Sequence, residues 1–376
     1  MKKRNRVTIC LAAGVLVLAV SAAAAFGSAN GYAAYKDALL NLALEEENFT
    51  AKGSLSVKMD SAEVVAADLA YAQDGVNRSS RMTGHQGSTT YDQHDTTLNG
   101  VNTWFNGDSQ LYYEAQVSRE ATNLLSYDKN DEMSSRLVNF LSIAADTVMG
   151  DLKNNFVQIG SQDGKDLYQV TISGSQVPSL VNAGLSLFAY ECAGGGDAYD
   201  NVCYENNTKT QLAYYEKTTG ETLSEEFKNS ILNGYSDEWY QANQAQVEKY
   251  NEISGGAMYD SYSQILDDKG GGILYVKADG SYDYFTSMKD YLAAHPEMAA
   301  DNLEYYVGKD LALDQVDCTF SLDSQGRVAD TQLTVTFQTV DADGGRHTME
   351  VSGDVTLSDY GTTTVVPLDV GDRIKA

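Results

Sequence analysis

The sequence is poor in proline, histidine and cysteine: three prolines (Pro178, Pro296, Pro367), four histidines and four cysteines in 376 residues. Scarce proline excludes a proline-rich stalk, so folding is expected to begin close to the N-terminal segment. The histidines, His85, His94, His295 and His347, are scattered, with no H-E-x-x-H and no paired spacing. A zinc site readable from sequence is therefore excluded, although His85 and His94 fall on neighbouring predicted strands. No G-x-S-x-G occurs, which removes the nucleophile elbow of the α/β-hydrolases. The one S-x-x-K, Ser126 to Lys129, stands in a polar stretch without its companion motifs. Neither Gly194-Gly195-Gly196 nor Gly270-Gly271-Gly272 has the spacing of a phosphate cradle opening a helix. No catalytic set, metal or cofactor is expected.

Positive charge is the other scarcity, 26 Lys and Arg against 53 Asp and Glu. Four of those cations, Lys2, Lys3, Arg4 and Arg6, stand in the first six residues, and no acid precedes Asp37; without those four the net charge of −27 becomes −31 on the rest. A surface of that sign repels phosphate backbones and anionic headgroups, so nucleic acid and peripheral binding to a charged membrane are disfavoured.

Between those cations and the first acid lies an uncharged run from Val7 to Ala25. Basic residues stay on the cytoplasmic side while an apolar run enters the bilayer, which predicts that residues 30–376 lie outside the cytoplasm. Residues 1–29 are then a single-pass anchor or a cleaved signal peptide. The length of the run fits a spanning helix better than the shorter core of a cleaved signal, whereas Ala22–Ala25 and Gly27-Ser28-Ala29 offer cleavage sites. Cys10 falls within this run, leaving Cys192, Cys203 and Cys318 in an oxidising location. Cys192 and Cys203 bracket the flexible loop AGGGDAYDNV and are the candidate disulfide, with Cys318 as a free core thiol. Three reduced buried thiols are the other reading.

Hydrophobic periodicity predicts an opening helix over Tyr32–Glu46, then a strand in which Leu55, Val57 and Met59 alternate with Ser54, Ser56 and Lys58. Further strands are predicted over Val64–Ala72, Val76–Gly84, Ser88–Thr97, Val101–Phe105 and Leu111–Ala115. Asp74-Gly75, Asn99-Gly100 and Asn106-Gly107 separate them and suit tight hairpins, so the sheet is antiparallel. Met133, Leu137, Phe140, Leu141, Ala144, Val148 and Leu152 then step by three and four, an apolar helical stripe expected to pack on the sheet. Strands over Phe156–Ile159 and Leu167–Ile172, and a helix over Val177–Tyr190, follow. From residue 192 to about 304 the pattern loosens into an insertion. It contains helices over Ser224–Ile253 and Phe285–Ala294, a strand over Ile273–Lys277 and many of the 25 tyrosines. Three long alternating strands close the chain, turning at Ser324-Gln325-Gly326 and Asp343-Gly344-Gly345. Asp341 and Asp343 echo a calcium loop, but the bidentate Glu is missing and the pair reads as a hairpin turn.

A helix, then ENFTAKGSLSVKMD, a polar meander, a crossing helix, and SLDSQGRVADTQLTVTF turning through DADGG into HTMEVSGDVTLSDYG: this order resembles the LolA/LppX-like envelope carriers. The resemblance covers about residues 32–190 and 305–370. It implies an antiparallel half-barrel over helices, with an acyl chain or lipoprotein held between them. Leu55, Val57, Val335 and Phe337 would face that groove; alternation fits a dry core equally.

The fold class expected is α+β, a large antiparallel curved sheet packed on helices with an α-rich insertion. The function expected is a non-enzymatic, membrane-anchored, extracytoplasmic binding or sensory protein of the bacterial envelope. Its ligand would be a protein, glycan or lipid-like molecule met by the tyrosine-rich insertion, where Trp239 and Tyr240 are candidate contacts. The alternative is an envelope-remodelling hydrolase using carboxylates of the insertion.

Overall fold

A computed structural model describes residues 30–87, 89–107, 109–117, 122–123, 132, 136, 150–192, 202–307 and 310–376. The expected anchor or signal segment, and most of the helix predicted from Met133, lie outside them. The chain begins with α1 (Asn30–Leu44) and the strands β1 (Asn48–Met59), β2 (Ala62–Asp74), β3 (Asn77–Gln86) and β4 (Thr89–Leu98). Next come β5 (Val101–Asn106), β6 (Leu111–Gln116), β7 (Phe156–Gln162), β8 (Lys165–Ser173), α2 (Ser179–Cys192) and β9 (Val202–Tyr204). Helices α3 (Asn207–Thr219), α4 (Glu225–Asn233), α5 (Asp237–Ser254) and α6 (Gly256–Asp268) precede β10 (Ile273–Val276), β11 (Tyr282–Phe285) and α7 (Met288–Ala294). The chain ends with α8 (Leu303–Val307), β12 (Asp310–Leu322), β13 (Val328–Val340), β14 (Arg346–Ser358) and β15 (Ile374–Lys375). The fold is α+β. Its main sheet is open, twelve-stranded and largely antiparallel, in the order β15-β6-β5-β4-β3-β2-β1-β14-β13-β12-β8-β7.

The chain divides into two compact units. The first comprises Met1–Asn102, Ala115–Gly196 and Ala299–Leu368. Its hairpins follow from turn chemistry: Asn99-Gly100 (φ 52° and 80°) and Asp163-Gly164 (53° and 77°) both put two consecutive residues in the left-handed region. That backbone matches the right-handed twist of the flanking strands. Tight turns fix the register, and the register puts every second side chain on one face. Against that face, 29 buried apolar residues among those described form one core with the helices. Helix α1 enters it with Tyr32, Tyr35 and Ala38, spaced by three. Tyr35 stacks on Phe320 at 3.8 Å between ring centroids, Tyr168 stacks on the same ring at 4.8 Å, and Tyr32 meets Phe156 edge-on at 4.9 Å. Helix α2 lies along β12, where Asn182 accepts a hydrogen bond from the Leu313 N–H at 2.9 Å. Helix α8 adds Leu303 and Val307 to the core.

The second unit comprises Thr103–Glu114, Asp197–Met298 and Asp369–Ala376. It holds a small sheet, β11-β10-β9, with β9 and β10 parallel and all four residues of β10 buried. Leu212, Tyr215, Leu223, Phe227, Val247 and Tyr250 form one core of this unit, and Met258, Tyr262, Leu266, Leu274 and Val276 form another. The helix expected across Ser224–Ile253 is broken. Gly234 takes φ 94° after α4, and Ser236 starts α5 by accepting the Trp239 N–H at 3.2 Å. A glycine at positive φ followed by a serine N-cap stops one helix and begins the next. Among the described residues no helix is long and apolar enough to cross a membrane.

Candidate functional sites

On the inner face of the first unit's sheet, Val335, Val351, Val57 and Val65 stand side by side on β13, β14, β1 and β2, each no more than 4 % exposed. Phe337, Met349 and Met59 form the next row and are equally buried. Val57, Val335 and Phe337 are therefore packed core rather than lining of an open groove. Leu55, at the edge of that core, is half-buried opposite Gly353.

Two residues further along β1 the face changes. The row Phe320, Thr331, Val355, Gly53, Leu69 and Met82 runs from a buried ring at 2 % exposure to Val355 at 37 % and Leu69 at 46 %. Two sheet glycines border this exposed apolar patch. A Cβ on Gly53 would lie 2.1 Å from the Asp354 carbonyl oxygen, and one on Gly84 would lie 2.0 Å from that of Ala66. The strands approach so closely that only glycine fits, the usual mark of a local bend in a sheet. Leu69, Val355 and these glycines had only one available signal, glycine inside a strand pattern.

The outer face of the same sheet is polar. A shallow open hollow of about 370 Å³ lies over β8, β12, β13 and β14, lined by Leu167, Thr319, Asp330, Gln332 and Asp354 with Ile159 of β7. Asp330 accepts hydrogen bonds from Lys165 at 2.6 Å, Ser321 at 2.9 Å and Thr356 at 3.1 Å. Burial alone would raise its pKa; those three donors and the Lys165 charge hold it below the usual carboxylate range. A carboxylate so well satisfied is a poor base.

The remaining sequence candidates do not converge. His85 pairs across the ladder with Thr90, and His94 with Arg81, so the two imidazoles sit four positions apart along adjacent strands. His94 lies 2.9 Å from Asp92 and His85 lies 3.7 Å from Glu63, each with a carboxylate of its own. Among the described residues no three His, Cys, Asp or Glu side chains could hold a metal. Cys203 is buried, while the side chain of its expected disulfide partner Cys192 lies outside the described residues. Cys318 is a free, buried thiol. Burial pushes its pKa up to about 12, against a weaker downward pull from the Tyr35 hydroxyl, so it has little thiolate to offer as a nucleophile. Three acids of the second unit are tied to lysines: Glu221 to Lys249 at 2.6 Å, Glu216 to Lys228 at 2.9 Å and Asp283 to Lys277 at 3.0 Å.

The tyrosines of the second unit divide into core and surface. Tyr215, Tyr250, Tyr262, Tyr275 and Tyr291 are buried, whereas Tyr113, Tyr259 and Tyr282 are about two-fifths exposed. Where α4 gives way to α5, Tyr235 of the connection and Trp239 and Tyr240 of the first turn of α5 form a half-exposed group. Tyr235 lies 5.0 Å from Trp239, and 6.1 Å from Tyr240 with ring planes only 13° apart. The helix cap explains the placement. Ser236 fixes the first turn of α5, so Trp239 at its third position turns inward onto Phe227 at 5.6 Å, and Tyr240 stands beside it. Asp237 and Glu238 are exposed in the same turn, where carboxylates are also favoured by the helix dipole. The candidate contacts Trp239 and Tyr240 thus both lie beside the ring of Tyr235. A lone tyrosine between a glycine and a serine gave no signal in the sequence beyond the helix boundary itself. Compared with known proteins, the chain matches no family model and no curated protein, so the reading of function rests on the chemistry of these surfaces.

Proposed function

We propose that the chain is a non-enzymatic, membrane-anchored binding protein of the bacterial envelope, whose folded part lies outside the cytoplasm and recognises a glycan through the second unit. The observation that carries this reading is the Tyr235, Trp239 and Tyr240 group beside Asp237 and Glu238. Ring faces stack on the C–H faces of sugar rings, and carboxylates accept hydrogen bonds from hydroxyls. Protein-binding surfaces, in contrast, are depleted of Asp and Glu at their centres. The acidic balance of the chain suits an uncharged or cationic glycan and repels a phosphorylated one.

The test is calorimetric titration of the protein with cell-wall glycan fragments, with Trp239→Ala and Tyr240→Ala as variants. Loss of an aromatic anchor is expected to weaken binding at least about thirtyfold. Unchanged affinity in both variants, or no glycan binding by the unaltered protein, overturns the reading.

A second reading has its own observation, the exposed apolar row of Val355 and Leu69 beside Gly53. It supports a lipid-like ligand on the inner sheet face, as the resemblance to the LolA/LppX-like carriers implies. Native mass spectrometry of the detergent-extracted protein, followed by lipid extraction, separates the two: a stoichiometric acyl ligand lost in Leu69→Asp favours the sheet, and a lipid-free protein favours the second unit.

A further inference from the structure

At one end of the first unit's sheet, His347 of β14 stands between two carboxylates. Its Nδ1 is 2.6 Å from Asp60 Oδ2 and its Nε2 is 3.0 Å from Asp341 Oδ2. A neutral imidazole carries one N–H and one lone pair, so only the doubly protonated ring can donate to both partners. Each partner belongs to a different turn. Asp60 sits in the β1–β2 turn at φ 49°, donates its own N–H to the Thr348 carbonyl at 2.8 Å, and accepts the Thr348 N–H on Oδ1 at 2.9 Å. Asp341 opens the β13–β14 turn and is 4 % exposed; its Oδ1 accepts the N–H groups of Asp343 at 2.9 Å and Gly345 at 2.6 Å.

Helix α8 supplies a third side. The Tyr306 ring meets His347 edge-on at 5.0 Å, Tyr305 donates its hydroxyl to Asp343 at 2.9 Å, and the Tyr305 carbonyl accepts the Ala342 N–H at 3.0 Å. This helix begins five residues after the chain leaves the second unit at Met298. The titratable groups facing His347 are therefore Asp60 from one turn, Asp341 from the other, and Tyr306 from the helix, with Asp343 and Tyr305 just behind.

We propose that His347 is a pH-operated clasp, which when protonated ties the β1–β2 turn, the β13–β14 turn and helix α8 together, and when neutral releases them. This goes beyond the proposed ligand binding and does not depend on it. Losing one proton turns one N–H···carboxylate contact into a lone pair facing a carboxylate, so attraction on that side becomes repulsion. Burial would lower the pKa of His347, but the hydrogen bonds and charges of Asp341 and Asp60 outweigh it and raise the value above that of an ordinary histidine. The sign follows from linkage. A group with a raised folded-state pKa contributes stability fully below the unfolded value, about 6.5, and loses it as pH rises through the folded value. The clasp is closed in mild acid and opens on the alkaline side.

The test is hydrogen exchange on the full chain in detergent from about pH 5 to about pH 9, corrected for the intrinsic pH dependence of exchange. Protection of residues 58–62, 303–307 and 340–348 is expected to fall about tenfold together as pH rises, and to be low and independent of pH in His347→Gln. In Asp60→Asn, which keeps an acceptor for Thr348 but removes one charge, the same fall is expected at lower pH. Protection that does not change with pH in the unaltered protein overturns the proposal, and so does an unshifted transition in Asp60→Asn. The second variant decides the matter if His347→Gln fails to fold.

Discussion

The two units solve the burial problem in opposite ways. The first uses strands of up to 13 residues in fixed register to build one core, with 29 buried side chains among the described residues. Between Asp197 and Met298 the second uses helices of 7 to 18 residues and strands of three or four, around separate clusters of six and five among the described residues. A long ladder makes each residue depend on partners far away in sequence: register sets Val57 opposite Val351 in one buried row. A short capped helix is decided by its neighbours: α5 begins where it does because of Ser236. Distributed registry thus favours a rigid scaffold, and local decisions leave side chains such as Tyr235 and Tyr240 standing at element boundaries, where a ligand can reach them.

Both tryptophans of the chain, Trp104 and Trp239, belong to the second unit, so their fluorescence reports on that unit while far-ultraviolet circular dichroism reports on both. That separation allows the contrast to be broken. Phe337→Ala empties a site that is 2 % exposed in the sheet core, and a loss of about 3–5 kcal/mol is expected in urea unfolding followed by circular dichroism. The tryptophan transition is expected to stay in place. In Phe227→Ala, also 2 % exposed, the tryptophan transition is expected to move by a similar amount. Coincident shifts in both signals for either variant would show a single cooperative body and erase the distinction.

Smaller effects sharpen it. Gly53→Ala places a methyl 2.1 Å from a carbonyl of the neighbouring strand and is expected to cost about 1–3 kcal/mol, in the sheet signal only. A loss below that range would mean that the close strand approach can relax. Ser236→Ala removes the cap of α5 and is expected to cost about 1 kcal/mol, visible in tryptophan fluorescence. The smallest change is a gain: Gly184 is exposed within α2 with nothing within 4 Å of an added Cβ, so Gly184→Ala is expected to stabilise by about 0.5–1 kcal/mol. No gain in melting temperature would show that this helix is limited by its packing on β12 and not by backbone entropy.

Strand by strand, the first unit is largely legible in its sequence. The stretches predicted over Val64–Ala72, Val76–Gly84 and Ser88–Thr97 are β2 (Ala62–Asp74), β3 (Asn77–Gln86) and β4 (Thr89–Leu98), because alternation and Asn-Gly or Asp-Gly turns are local signals. The second unit is legible only in part. Helices α3 and α6 leave no clear period, since tyrosines and small polar residues interrupt it, and Gly234 splits a stretch whose pattern predicts one long helix. The sites are the least legible. Leu55, Val57, Val335 and Phe337 share one alternation pattern, yet three are core and Leu55 lies at its edge.

What the sequence determined by itself is therefore whatever two or three neighbouring residues can encode: the α+β class, the antiparallel hairpins, the helix caps, and the polar and apolar faces of each strand. Only the tertiary structure decided which apolar positions are sealed, since exposure depends on what lies opposite. It alone also decided that residues 103–114 and 369–376 join the second unit, and that Asp60 and Asp341, 281 positions apart, meet on the two nitrogens of one histidine. Such meetings are fixed by strand register summed over β1, β13 and β14, a long-range quantity that no local window of sequence contains.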